Sequence, residues 1–557
     1  MGFSIYVIYH NVGSGIINYV DHQFPFDFKE LLRKQLFTWN DRIYLGFDQS
    51  LSLLINLSYT IIFSFIQCFA TDYVFVNRLE HILAIFFNIY FFYLFLTSLF
   101  VKKLNYIEKL LLLLSGTFFT TNVLSSALFF MGISQQVLAF SCVTLLLYGI
   151  RKYLFTKNKI FIIPIILSLF LISNFNLPYS FLAIIMVMVV IFAFNDVVLK
   201  TKFKIISLFL LFWTLTNFYW LLPLFNATFI IPTYNLITPS HSKVFFTDFV
   251  EFISSRYTFN QLFKLAPNFE LIKIQNADYS MFIRYFGDSF IISLSYLAVG
   301  VTLTWHFISK RRNNNIAVNI PILILAFMVF IFLTKGGSPP FGSYYYFLVK
   351  STTVFKMFRD PFKWLTIPLF IFAILISNIL INTNYKLIKF IIIMFLVSYL
   401  FPWTYKGLME RLTAYGVPQY YFQFKEAYRH ESNNSVKRAV ILDSVSGYTG
   451  YKFDSNLIKG SSNILKAVSP IPIVDLFSPG GGNSFECLTV FFKNLKRDDK
   501  DIVAFRRFGA THIYHQRDLL YPNVYKYTDK YFKKVTFGKI DVYEIKEDHI
   551  LPIIYAR

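Results

Sequence analysis

The residues able to do chemistry are few, and they sit beside long apolar runs. Asp21 lies in Val20-Asp21-His22-Gln23-Phe24-Pro25-Phe26, where an N-terminal apolar stretch ends. A carboxylate at the mouth of a membrane cavity can take a proton from a hydroxyl. The plainer alternative is that Asp21 marks the end of that stretch, or caps a helix over residues 28–36. His22 offers a second proton carrier or a single metal ligand. Far along the chain, Phe358-Arg359-Asp360-Pro361-Phe362-Lys363-Trp364 stands directly before another apolar run, after the Gly/Pro loop Lys335–Gly342. Arg359 and Lys363 are four apart, so one helical face can present both. Arg grips phosphate oxygens as a fork and Lys adds a point charge. The plainer alternative is an interfacial belt with Trp364 as its anchor. Asp360-Pro361 also reads as a helix start. A third stretch, 226–288, holds His241, Lys243, Asp248 and Glu251, with Arg256 and Arg284 as candidates for phosphate contact.

The elements around these residues are membrane spans. The 557 residues are 55% apolar and only 15% charged, against about 25% charged in soluble domains. That composition excludes a soluble cytosolic enzyme and a disordered chain. Apolar runs suited to crossing a bilayer fall at 81–100, 110–130, 133–150, 160–173, 177–195, 204–225, 289–308, 316–334, 364–382 and 387–403. Basic residues concentrate in the connections 101–109, 151–159, 196–204, 309–315 and 383–389, which places those connections on the cytoplasmic side. The stretches 11–80, 226–288 and 335–363 and the tail 404–557 then face outward. The run 51–70 is read as interfacial or re-entrant, behind a first helix at residues 3–10 that enters from the cytoplasm. No cleavable signal peptide is expected.

The fold expected is mainly α, a polytopic membrane protein of about 10–12 transmembrane helices over 1–403. A small extracytoplasmic α/β domain is expected over 404–557. In that tail, Arg438–Asp443 reads as a strand, and Ser478–Ser484 as a loop. Helix 502–508 leads through Gly509 into a strand at 511–514, and 531–544 alternates as a hairpin around Gly538.

The net charge of +22 sits in short loops rather than on a phosphate-tracking stripe, so nucleic acid is not an expected partner. Cys68, Cys142 and Cys487 lie too far apart for metal or disulfide spacing. Sequons at Asn56, Asn226 and Asn433 carry no weight. Phosphate loops, dinucleotide fingerprints, zinc-protease helices and serine-hydrolase elbows are absent from the sequence.

Together these pieces resemble the GT-C class of integral-membrane glycosyltransferases. They are most similar to the N-terminal module of the alpha-(1→3)-arabinofuranosyltransferase family. The matching stretches are Gly15–Gly46 with Asp21, Pro25 and Trp39, then Asn217–Pro223, then Gly336–Trp364. The tail segments Phe508–Asp518 and Phe537–Arg557 resemble YfhO-like membrane proteins. The resemblance implies a polyprenyl-phosphate-linked sugar donor, a glycan or glycolipid acceptor, membrane lipid as a further partner, and a reaction on the outer face of the plasma membrane. It implies Asp21 as catalytic base and Arg359 and Lys363 on the donor phosphate, joined by Arg256 and Arg284, with His22 and Asp360 as accessories. Gln23 stands where a second acid would be, so no metal and no cofactor are expected, although a divalent ion remains compatible. Arabinose itself is not implied. Two other readings stay open at this point: a flippase or transporter for lipid-linked glycans, which calls for ionisable residues inside the spans, and a non-catalytic assembly factor.

Overall fold

The computed structural model describes residues 1–11, 16–17, 28–35, 39–40, 47–48, 57–122, 125, 134–175, 177–225, 285, 288–308, 316–351, 355, 361–404, 414–415, 417–430, 437, 439–441, 449–453, 456–461, 464–471, 473–474, 496, 498–507, 510–519 and 527–546. The helices that build the bundle are α1 (Gly2–Asn11), α2 (Phe28–Gln35), α3 (Leu57–Phe69), α4 (Tyr73–Leu99), α5 (Tyr106–Thr121), α6 (Ser134–Thr156), α7 (Ile162–Phe175), α8 (Leu177–Ala193), α9 (Leu199–Phe225), α10 (Ser289–Ile308), α11 (Ile320–Thr334), α12 (Gly342–Ser351), α13 (Thr366–Asn382) and α14 (Lys386–Thr404). Among the described residues, five helices are long and apolar enough to cross a membrane. The chain is a mainly α-helical polytopic membrane protein with a small C-terminal α/β sheet.

Local chemistry sets the boundaries. Asp72 accepts from the Val74 amide and starts α4. Asn105 and Glu108 form a reciprocal capping box at α5. Asn319 caps α11 just before Pro321. Two span boundaries depart from the pattern of apolar residues. Within the run 110–130, α5 ends at Thr121, where Asn122 turns its amide and side chain onto the Phe118 and Phe119 carbonyls. The run 81–100 starts earlier, at Tyr73, so Asn77, Arg78 and Glu80 join His81 in the helix and do not belong to an 11–80 loop. All four are buried. This span therefore carries ionisable residues near its head.

α13 is apolar on every side and is buried from Thr366 to Ile381, as a helix without a polar face must be. It forms the axis of the bundle, with α4, α5, α8, α10, α11 and α14 packed around it. α3 is about 20 Å long at the α-helical rise, short of the roughly 30 Å hydrocarbon core. It pairs with α2: the Phe28 amide donates to Gln67 and the Ser64 hydroxyl to the Phe28 carbonyl.

The bundle has two distinct ends. At the basic end, the Leu99 carbonyl of α4 accepts from Ala317, just before α11, and Asn319 donates to Ala193 of α8. The connections carrying Lys102, Lys157, Lys200 and Lys386 converge there. At the opposite end, β1 (Ile16–Ile17) pairs antiparallel with β4 (Ala414–Tyr415). Between them in sequence lies the short pair β2 (Trp39–Asn40) and β3 (Phe47–Asp48).

The C-terminal unit holds β5 (Ala439–Ile441), the hairpin β6 (Thr449–Phe453) and β7 (Asn456–Ser461), β8 (Ile473–Val474), β9 (His512–Gln516), β10 (Phe532–Phe537) and β11 (Ile540–Ile545). Its main sheet has the order β10-β11-β9-β5-β8. The strand at 438–443, the helix leading into a strand at 511–514, and the hairpin turned by Gly538 at φ 53 agree with the sequence pattern. The loop at 478–484 lies outside the described residues. Tyr73 at the head of α4 packs on Phe422 of this unit at 5.3 Å, so we call this the domain end.

Candidate functional site at the domain end

Of the residues singled out by sequence, the structure describes Lys363. Asp21, His22, Arg256, Arg284, Arg359 and Asp360 lie outside the described residues, so no distance joins the set. What the structure supplies is the placement of the flanking elements. β1, four residues before Asp21, packs on α4 and pairs with β4. Lys363 sits in a short 3-10 turn, Pro361–Leu365, at the head of α13. That turn packs on the far end of α11, through Phe330 stacked on Trp364 at 5.9 Å. Since α11 starts at the basic end, Lys363 is at the domain end, as is β1.

Trp364 corrects one expectation. It is 3% exposed and packed between Phe330 and Phe355 at 5.9 and 5.8 Å. A buried indole is no interfacial anchor. Its task is to seat the turn that carries Lys363. The Gly/Pro loop before it is also held from within. The Lys335 ammonium donates to the Ser338 and Pro340 carbonyls and lies over the Phe332 ring at 4.6 Å. Gly337 packs so tightly on Tyr346 that a Cβ would sit 2.3 Å from its ring. Lys335 is thus a staple of the loop.

The head of α4 adds residues that sequence reasoning passed over. Arg78 donates to the Ile8 carbonyl of α1 at 3.5 Å and lies over the Tyr9 ring at 5.4 Å. His81 Nδ1 is 2.8 Å from the Asn77 carbonyl. A carbonyl can only accept, so Nδ1 carries a proton. Asn77, His81, Ala84 and Asn88 recur at helical spacing, so one buried face of α4 carries a polar stripe. The signal was present in Asn77-Arg78-Leu79-Glu80-His81. It was missed because the span was started at His81.

No family model matches the chain, and no curated protein matches it. Solved structures do. The cryo-EM structure of the arabinofuranosyltransferase AftD from Mycobacteria superposes with a TM-score of 0.63 at 12% identity, over 98% of this chain and 39% of that one. The fold is shared. Two classes of a mutant of AftD give TM-scores of 0.60 at 11% identity, over 98% and 99% of this chain. The chain spans about two fifths of the length of these AftD structures, which cover 39–41% of themselves in the match. The likeness to AftD includes the C-terminal unit as well as the bundle, since it leaves only 1–2% of this chain unmatched.

Proposed function

We propose that the chain is a membrane glycosyltransferase. It moves a sugar from a polyprenyl-phosphate-linked donor to a glycan or glycolipid acceptor, with inversion, at the outer face of the plasma membrane. The observation that carries this reading is a fold shared over nearly the whole chain with a protein named as an arabinofuranosyltransferase. The placement of β1 and Lys363 at one end of the bundle supports it. The convergence of basic connections at the other end supports a cytoplasmic location for that end, which leaves the domain end and the 404–557 unit outside.

In this reaction Asp21 takes the proton of the acceptor hydroxyl. The acceptor oxygen forms the new bond to the anomeric carbon as the bond to the phosphate oxygen breaks. The polyprenyl phosphate leaves as an anion, and Arg359 and Lys363 stabilise its growing charge. Arg256 and Arg284 add phosphate contacts, and His22 and Asp360 orient the first group. The head of α4, with Arg78 bound to α1, braces the strand that leads to Asp21.

The test is transfer of radiolabel by the purified protein in lipid nanodiscs. Polyprenyl-phosphate arabinofuranose, mannose and glucose serve as donors, and envelope glycans and glycolipids as acceptors. Transfer from one donor, lost in Asp21→Asn, is the expected result. No transfer from any of them, together with lipid-linked glycan movement across the bilayer, would overturn the reading in favour of a transporter.

A further inference from the structure

One polar pair inside the bundle has no role in the scheme above. α4 and α13 run in the same direction and meet through rings at Phe92, Phe95 and Phe370. Phe370 lies 5.3 Å from Phe92, 5.6 Å from Phe95 and 5.7 Å from Phe119. One turn nearer the domain end from Phe92 is Asn88, and one turn nearer from Phe370 is Thr366. Residues four apart share a helix face, so each group stands one turn above this aromatic floor, on the helix face that carries its ring. Asn88 is 0% and Thr366 2% exposed. Among the described residues, neither atom of the Asn88 amide nor the Thr366 hydroxyl has a hydrogen-bond partner. Hydroxyls elsewhere in the spans, such as Thr302, Thr334 and Ser377, bond back to a carbonyl of the preceding turn. Thr366 does not, although it stands at a helix start.

Buried amides and hydroxyls are satisfied in folded proteins, and the demand is strictest in a bilayer. Something polar therefore belongs here. An apolar chain would leave the amide unmet. A phosphate calls for cations, and Lys363 stands nearly a turn further toward the domain end. An amide and a hydroxyl above a bed of aromatic rings suit a ring with hydroxyls on its edge and C–H bonds on its face.

We propose that Asn88 and Thr366 form the subsite for the donor sugar, floored by Phe92 and Phe370 and lying below a phosphate held at Lys363. The identity of the occupant rests on the glycosyltransferase reading. The existence of a polar site does not.

The experiment places single cysteines at Asn88 and Thr366, in protein whose own cysteines are replaced, and follows mixed-disulfide formation with a water-soluble thiosulfonate, which releases sulfinate. Ile82→Cys, buried and about 120° around α4 from Asn88, is the control. Monodisperse elution and wild-type helicity establish folding for each variant. Both site cysteines are expected to react and Ile82→Cys is not. The polyprenyl-phosphate sugar that serves as donor, at ten times its Kd, is expected to slow labelling about tenfold, and sugar-free polyprenyl phosphate is expected not to. Unreactive cysteines at both positions would overturn the site. Reaction that neither lipid slows, or both slow equally, would overturn the sugar assignment, the first in favour of water alone. Transfer without protection leaves the enzyme reading standing and removes this subsite. Protection without transfer keeps the subsite and removes the reaction.

Discussion

The charged residues at the basic end of the helical bundle and two polar residues deeper inside it are used differently. At the basic end, the charged side chains find partners within the protein, whereas Nδ1 of His306 and the Asn378 amide nitrogen have none among the described residues. Arg151 makes a forked contact with Asp196 at 2.6 and 2.8 Å and reaches the Ser98 carbonyl. Lys102 bonds Glu108, and Lys202 bonds the Phe192 carbonyl. Strand-like bridges from Phe100 to Ile316 and from Phe194 to Val318 tie three helix ends together. Away from that end, the Thr366 hydroxyl at the head of α13 and the Asn88 amide midway along α4 are buried and lack partners among the described residues. A polar group that closes on its own neighbours builds a scaffold. One that does not is available to a ligand, and the cost of burying it is carried by the rest of the fold.

That contrast can be broken by mutation, and the expected effects are unequal. The largest is Asp21→Asn, which should lower sugar transfer by about 10²–10⁴-fold at unchanged membrane level. Wild-type activity would strip Asp21 of its role. Lys363→Ala and Arg359→Ala should each reduce kcat/KM for the lipid-linked donor by roughly 10–100-fold, about 1.4–2.8 kcal/mol, while the acceptor KM stays put. A shift in the acceptor KM alone would move these cations off the phosphate.

Arg151→Ala should act on stability only, by roughly 2 kcal/mol, the size of a hydrogen bond to a charged group. It would be read as a lower Tm with normal transfer per folded molecule. Lost transfer at an unchanged Tm would end that distinction.

The smallest effect is one of pH and lies in the C-terminal unit. Burial raises the Asp518 carboxyl above its usual 3.8, and the hydroxyls of Tyr420 and Tyr421 offset only part of that rise. The folded state then binds the proton more tightly than the unfolded one. Stability should fall as pH rises from 3.8 through the raised folded value, and the penalty is absent at lower pH. Thermal melts across that window should slope in the wild type and flatten in Asp518→Asn. Parallel slopes would show that another group titrates.

Much of this was legible in the chain, for reasons that differ by element. Apolar runs located most helices because a bilayer demands about 20 apolar residues for each crossing. The hairpin at 532–545 was legible from alternation and Gly538. The start of α4 was not, because hydropathy discounts Asn77, Arg78, Glu80 and His81, while the Asp72 cap and packing against α1 keep them helical. Trp364 looked like a lipid-facing anchor by type and position. Only its neighbours Phe330 and Phe355 reveal it as core. Thr366 looked like the first residue of a span and nothing more.

By itself the sequence determined that this is a membrane protein with charge segregated along its length, because local hydropathy and loop charge act through the solvent each segment meets. It also determined which side chains are chemically able to serve. Which of them share a space was decided by tertiary structure alone. The partners of Arg151, and the lack of partners at Asn88 and Thr366, depend on helices far apart in the chain meeting around α13, and no local pattern encodes that meeting.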